Sequence, residues 1–462
     1  MIINITKFIQ SFSTAVDYLE HEFVDIRPYH GRRVAVLANR MGKAAGLDAD
    51  ELYGMTQGAL LHDCALSEYL KDENVNDKLP GLERVYSAHC LAGEKMLSVL
   101  PLYSAAAGTV LYHHERADGT GALGKPAGEV PLRAQLVHLA DMLDVEFSFF
   151  DGGDRFAEAA AWVKENTGTM FSPESAELFA GAVDAELLNS LAGDNCKAML
   201  DSLEQDVSID IPTSTLVEMS RLFAQITDYK SPFTRRHSMG IAEKARRMGE
   251  YYGYAGEEAD KLYIAGALHD VGKLLVTNDI LEKPGKLTPD EYKTIQNHAM
   301  GTWNLLYGID GMEDITSWAA NHHEKLDGSG YPYGKKADEL GRNERLLACL
   351  DIYQALVEDR PYKKGFSHED SMGILRKMGN EGQLDAGIID DIDRCFSPAA
   401  EDKSGDSVNA EGKADEEKPA ERRSGWRCPV CGYFYEGEEL PESFICPDCE
   451  QPGSMFSFEE GR

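Results

Sequence analysis

The 462-residue chain has no apolar run of about 18 residues or more, so no transmembrane helix is expected. Its first twenty residues also lack the basic start and apolar block of a signal peptide. Positive charge is scarce: 46 Lys plus Arg stand against 79 Asp plus Glu, a formal net charge of −33. Such a surface repels polymeric nucleic acid and anionic lipid at long range. An anionic ligand must then be captured locally, by metal ions or by a few placed Lys and Arg. A disulfide framework is missing as well. Five of the nine cysteines (Cys64, Cys90, Cys196, Cys349, Cys395) are scattered and read as small buried apolar side chains, which fits a reducing cytoplasm. Sustained period-two alternation is sparse, which leaves an all-α fold. The length suits two to four domains, and 43% hydrophobic residues suffice for ordinary cores.

The histidines carry the pattern. The first half of the chain contains His30, His62-Asp63, His89, His113-His114 and Asp141. The second half contains His237, His269-Asp270, His298, His322-His323 and Asp351. The offset is 207 for the first two elements (237 − 30, 269 − 62), 209 for the next two (298 − 89, 322 − 113) and 210 for the last (351 − 141). The flanks agree too: ALLHDCAL against GALHDVGKL, and HHERADGTG against HHEKLDGSG. A period this long means two copies of one domain rather than a solenoid of short units. Chance, or histidines satisfied in two unrelated cores, would not keep seven polar residues in register.

Helical spacing surrounds these residues. Arg236 to Tyr251 carries Ile241, Ala245 and Met248 on one face, and Leu262 to His269 is an apolar helical stretch stopping at Gly272. LTPDEYKTIQNHAMGTWNLL predicts a helix with Thr288 as N-cap, Pro289 at the first position and Glu291 at the third. Thr215 to Tyr229 predicts an amphipathic helix joining the copies, with a capping box from Thr215 to Glu218.

Imidazoles and carboxylates are ligands for first-row divalent metals. In the second copy one ion would draw on His237, His269, Asp270 and Asp351, and another on His298, His322 and His323. Asp270, with two oxygens, is the natural bridge. Such a pair clamps a phosphate and lowers the pKa of a bridging water.

The second copy, with His237, HDVGK at 269–273, His298, HHEKLDGSGYP at 322–332, Asp351 and DRPYKK at 359–364, resembles the HD-GYP family of metal phosphohydrolases over about 212–390. The resemblance implies hydrolysis of a cyclic dinucleotide, chiefly cyclic di-GMP, to the linear dinucleotide or GMP, with iron or manganese as the ions. Mixed cyclic GMP-AMP, another phosphate ester, or a non-catalytic receptor are the alternatives. It also implies that Lys273 contacts the scissile phosphate, that Arg360 and Lys363 hold phosphate oxygens, and that Gly330-Tyr331-Pro332 shapes the substrate loop. Some members add a third metal through a Glu four residues before the first His. Here that position is Phe233, and Ile26 in the first copy, so two ions are expected.

The first copy keeps His30, His62, Asp63, His89, His113, His114 and Asp141, which predicts a second metal centre. Its phosphate grip is gone: Leu66 replaces the lysine, Gly121-Ala122-Leu123 the Gly-Tyr-Pro, and Phe150 and Gly153 fall at the positions of Arg360 and Lys363. A regulatory or dimerising partner is the favoured role. A different phosphate ester as substrate and an inert scaffold are the others.

Residues 397–425 have almost no large apolar side chains and read as a disordered acidic linker. The domains are therefore 1–205, 212–396 and, after the linker, 426–462. In the last, Cys428-x-x-Cys431 and Cys446-x-x-Cys449 offer four thiolates, enough to staple a module this small. The segment resembles the rubredoxin-like module of rubrerythrins, which implies a small β fold around iron, with zinc as the alternative. Iron would bring in a redox partner. The whole reading is of a cytoplasmic enzyme. A homodimer is left open.

Overall fold

The computed structural model describes residues 1–24, 26–66, 79–203, 206–230, 237–283, 285–359, 364–397 and the strands at 425–427, 434–436 and 457–459. Up to residue 397 the described residues are helical, with a single short ladder among them: Ile2–Asn4 runs antiparallel to Ser208–Asp210, pairing Ile2 with Asp210 and Asn4 with Ser208. That ladder pins the N-terminus to the segment joining the copies. No described helix is long and apolar enough to cross a membrane.

The two copies repeat the same series of helices. His30–Ala45, Ala49–Leu60, Leu79–Leu97 and Leu132–Phe147 in the first correspond to His237–Tyr251, Gly256–Leu268, Pro289–Leu306 and Arg342–Val357 in the second. Each copy is also preceded by a long helix, Ile5–Val24 and Thr213–Tyr229. These two pack against each other through Phe8, Phe12 and Phe223. Phe12 stacks on Phe223 with centroids 3.6 Å apart, and Phe8 meets it edge-on at 5.4 Å. Aromatic burial of this kind dominates a helix interface, and one continuous apolar core runs through both copies.

A polar contact reinforces that join. Glu22, at the end of the first copy's leading helix, accepts from the Lys230 ammonium at 3.0 Å and from the backbone amide of Asn278. Lys230, 2% exposed, donates at 2.8 Å to the carbonyl of Leu274, the residue after Lys273.

The helix starts follow the sequence in one case and depart from it in another. Thr288 accepts from the amide of Glu291, whose carboxylate accepts from the amide of Thr288, and Pro289 follows, as predicted. The capping box at Thr215 does not form. The joining helix begins two residues earlier, at Thr213 after Pro212, so Thr215 already lies in its first turn. Thr213 instead donates its hydroxyl to Asp260 at 2.6 Å, and Glu218 pairs with Arg221 at 3.2 Å. The apolar helix before the His-Asp pair also starts earlier than Leu262: it spans Gly256–Leu268, and a short 3-10 turn, Val271–Leu275, carries Lys273.

At the C-terminal end, Gly425–Arg427 is the middle strand of a three-stranded antiparallel sheet, flanked by Phe434–Glu436 and Ser457–Glu459. The linker between Ser397 and Gly425, and Cys428, Cys431, Cys446 and Cys449, lie outside the described residues.

Candidate metal centre

Backbone geometry aims the imidazoles. His269 Nδ1 meets the Gly266 carbonyl at 2.7 Å, His298 Nδ1 that of Ile295 at 2.5 Å, and His322 Nδ1 that of Ala319 at 2.6 Å. In each case the ring N–H donates one helical turn back, which leaves Nε2 as a lone pair directed inward. The first copy does the same with His62 Nδ1 on Ala59 (2.8 Å) and His113 Nδ1 on Val110 (2.6 Å).

The seven residues predicted in the second copy converge as two linked groups. His237, His269 and Asp351 place ligand atoms within 4.8 Å of one another, as do His298, His322 and His323. His269, Asp270 and His322 form a third such set, which joins them. Asp270 faces both ways: Oδ2 lies 3.2 Å from His269 Nε2, while Oδ1 lies 3.3 Å from His298 Nε2 and 3.8 Å from His322 Nε2. His237 Nε2 is 3.1 Å from Asp351 Oδ1, and His323 Nδ1 is 3.5 Å from Asp351 Oδ2. The buried His269 Nε2 and Asp270 Oδ1 find no partner of hydrogen-bond geometry among the described residues. Leaving such atoms bare is costly, and a cation between them would satisfy both. The donor set fits divalent metal.

The protonation states agree. Burial pushes His298 down to about 3, and burial together with the neighbouring imidazoles holds His322 well below the usual histidine range, so both rings are neutral, as a metal ligand must be. Burial works against the charge on Asp270, but His269 and Lys273 outweigh it and hold the carboxyl well below its usual range. Burial likewise opposes charge on His237, yet Asp351 and Glu358 raise it to about 9; a bound cation would displace that proton. Lys273 Nζ sits 2.5 Å from Asp270 Oδ2, a position that keeps it charged despite burial.

Tyr331 covers the site, its ring 4.6 Å from that of His323 and 6.3 Å from that of His298. Its loop is held by Glu324, which accepts from the amides of Tyr333 (2.7 Å) and Lys335 (2.9 Å). Gly330 packs so closely that a Cβ would lie 2.6 Å from both the Glu324 Cα and the His323 carbonyl oxygen. The first-copy loop is built alike: Glu115 accepts from the amides of Leu123 and Lys125, and a Cβ on Gly121 would lie 2.5 Å from the Glu115 Cα. The shared HHE and Gly thus mark a common loop, and the tyrosine is what the first copy lacks there. Arg360, Lys363 and Phe233 lie outside the described residues.

The first-copy candidate ligands also converge. His30, His62 and Asp141 form one group, and His89, His113 and His114 another, with Asp63 Oδ1 3.2 Å from His89 Nε2 and 3.5 Å from His113 Nε2. His62 Nε2 and Asp63 Oδ1 likewise lack hydrogen-bond partners among the described residues, matching their counterparts. Leu66 is buried, and Phe150 lies under the Arg33 guanidinium at 5.6 Å.

Several residues that shape the sites escaped the sequence reading. Glu358 meets His237 Nδ1 at 3.1 Å, whereas Asp144 orients His30 Nδ1 at 2.7 Å and chelates Arg33 at 2.7 and 2.8 Å. These carboxylates occupy different registers, seven residues after Asp351 and three after Asp141, so aligning the copies could not pair them. Glu20 and Asp228 are buried carboxylates on the two leading helices. Burial raises both, and the ligand carboxylates of their own copies add to the effect. Cys90 joins the group of His89, His113 and His114.

Comparison with known proteins agrees with this geometry. A family model described as HD domain matches residues 24–171 and 221–388, and one described as rubrerythrin, rubredoxin-like domain matches 426–457. A 3'3'-cGAMP-specific phosphodiesterase of Vibrio cholerae is 30% identical over 383 residues, covering 79% of this chain and 86% of its own. A cyclic di-GMP phosphodiesterase of Thermotoga maritima is 29% identical over 168 residues, 36% of this chain and 46% of its own. The solved structure of a cyclic GMP-AMP specific phosphodiesterase from V. cholerae shares the fold, with a TM-score of 0.60 and 21% identity over 86% of this chain and 98% of that one. The chain belongs to the HD-domain family, in its HD-GYP branch, as two HD segments followed by a rubrerythrin-type rubredoxin-like domain.

Proposed function

We propose that the second copy is a metal-dependent phosphodiesterase whose preferred substrate is the mixed cyclic dinucleotide 3'3'-cyclic GMP-AMP. The observation that carries this is the conjunction of a complete ligand set with Lys273 in one copy only, in a chain whose relative across both copies is 3'3'-cGAMP-specific. The cyclic di-GMP phosphodiesterase of T. maritima matches little more than a third of this chain. The preference therefore shifts from cyclic di-GMP, the first expectation, to the mixed dinucleotide.

Two divalent ions, iron or manganese, would be held by His237, His269, Asp270, Asp351, His298, His322 and His323. When bound, such a pair supplies Lewis acidity toward a phosphate and a water of lowered pKa. The protein's own residues do the rest. Asp270 spans the two ligand groups and fixes their separation. Lys273 brings a permanent positive charge to the same carboxylate, where negative charge develops on a phosphate during displacement. Tyr331 closes one side of the site and presents an aromatic face suited to a base. Arg360 and Lys363 extend the cationic grip.

The first copy, with Leu66 where the lysine should be, serves as a metal-holding partner that steadies the second through the Glu22–Lys230 contact. The C-terminal module holds iron on its four cysteines. The test is kcat/KM for 3'3'-cyclic GMP-AMP against cyclic di-GMP, measured anaerobically with Mn(II) or Fe(II). A ratio above one supports the proposal, a ratio below one returns the assignment to cyclic di-GMP, and binding of either without turnover points to a receptor.

A further inference from the structure

The copies differ at one position inside the ligand cluster itself. Cys90 follows His89, and the residue after His298 is Ala299 (90 + 209). Both are fully buried. Cys90 Sγ lies 3.9 Å from His89 Nε2 and 3.6 Å from His113 Nδ1. One ligand atom from each of His89, Cys90, His113 and His114 falls within 4.8 Å of the others, and His89 Nε2 is 3.3 Å from His113 Nε2. His113 Nδ1 already donates to Val110 at 2.6 Å, so it offers no lone pair to a thiol proton. The sulfur is therefore not explained as a donor to that ring, and it lies beside His89 Nε2, within the group formed with His113 and His114. The other described free cysteines, Cys64, Cys196, Cys349 and Cys395, belong to no such group.

We infer that Cys90 is a metal ligand, so that the first copy's centre is a mixed thiolate–imidazole site for a thiophilic divalent ion such as zinc. A soft sulfur donor beside three imidazoles selects zinc over the manganese or iron suited to nitrogen and oxygen donors. Ala299 denies the second copy that donor. The two copies then sort different metals from one chain: an ion without redox chemistry in the first, a harder ion in the second. The inference rests on the reading that the first copy's cluster binds a cation, and the test separates the two.

Full-length protein is stripped with chelator, reloaded with Co(II) and compared with Cys90→Ser by near-ultraviolet absorption and bound-cobalt content. The four C-terminal cysteines contribute equally to both proteins, so the difference spectrum isolates Cys90. The expected result is a thiolate-to-cobalt charge-transfer band present in the wild type and missing from the variant. Zinc retention against a chromophoric chelator should fall by more than the roughly 10–100-fold typical of losing an outer-shell partner. Cys90→Ala, which installs the side chain found in the second copy, should behave as Cys90→Ser does. Superimposable spectra at equal cobalt content would overturn the inference while leaving the metal centre standing. If His113→Ala binds as much cobalt as the wild type, the cluster holds no cation, and both readings fall.

Discussion

The Glu22–Lys230 contact allows a prediction whose asymmetry is fixed by burial. Lys230 is 2% exposed and Glu22 19%, and the two are 3.0 Å apart. Glu22→Gln leaves an ammonium buried with the Leu274 carbonyl but without its carboxylate. Breaking a buried pair in that way costs about 3–5 kcal/mol. Lys230→Met leaves Glu22 closer to water and still accepting from the Asn278 amide, a loss of roughly 1.5–3 kcal/mol, as for a hydrogen bond to a charged group. Glu22→Gln should therefore lower the thermal midpoint on the order of 10 °C, and Lys230→Met by less. The double variant should be milder than Glu22→Gln alone, because the buried ammonium is gone as well. Since Lys230 holds the carbonyl next to Lys273, kcat should fall alongside stability. The assay is differential scanning calorimetry of the full chain together with turnover. A Lys230→Met variant as damaged as Glu22→Gln, or a double variant worse than both, would refute the reasoning.

Two further outcomes follow from packing and charge. A Cβ on Gly272 would run into the carbonyl oxygen of His298 and the amide of Thr302, both backbone atoms that cannot swing aside, so Gly272→Ala should displace His298 and lower metal content and activity together; unchanged metal content would contradict the contact. Burial raises Asp228 from 3.8 to about 7, against the hydrogen bond from Ser238, so its contribution to stability is full below about pH 4 and is lost as pH rises through about 7. Asp228→Asn cannot ionise, and in chelator-treated protein it should gain stability relative to the wild type from pH 4 upward, reaching a plateau above pH 7; a difference independent of pH, read by urea denaturation, would contradict the assignment.

The clustering of the candidate ligands was legible because a metal centre would fix residue types, order and approximate spacing, and a duplicated domain states that order twice. The HHE and Gly of the loop were visible in the same way, although their reason, a glutamate accepting two loop amides over a glycine pressed on backbone, needed coordinates. What could not be read was set by three-dimensional partners. Asp144 reaches His30 from inside its helix, whereas Glu358 reaches the equivalent His237 from just past the end of its helix. Glu22 acts across the join between copies, on Asn278 256 residues away. Thr215 lost its capping role because the chain enters the joining helix earlier, where Pro212 and the Thr213–Asp260 bond set the start. Cys90 was set aside as one of five scattered apolar thiols, since only the fold brings it to His113.

The central claim, that catalysis belongs to the second copy, is tested most directly by anaerobic hydrolysis of 3'3'-cyclic GMP-AMP with Mn(II), comparing the wild type with Asp270→Asn and Asp63→Asn. The account predicts turnover by the wild type and by Asp63→Asn, and none by Asp270→Asn. Turnover that survives Asp270→Asn and disappears in Asp63→Asn would contradict it.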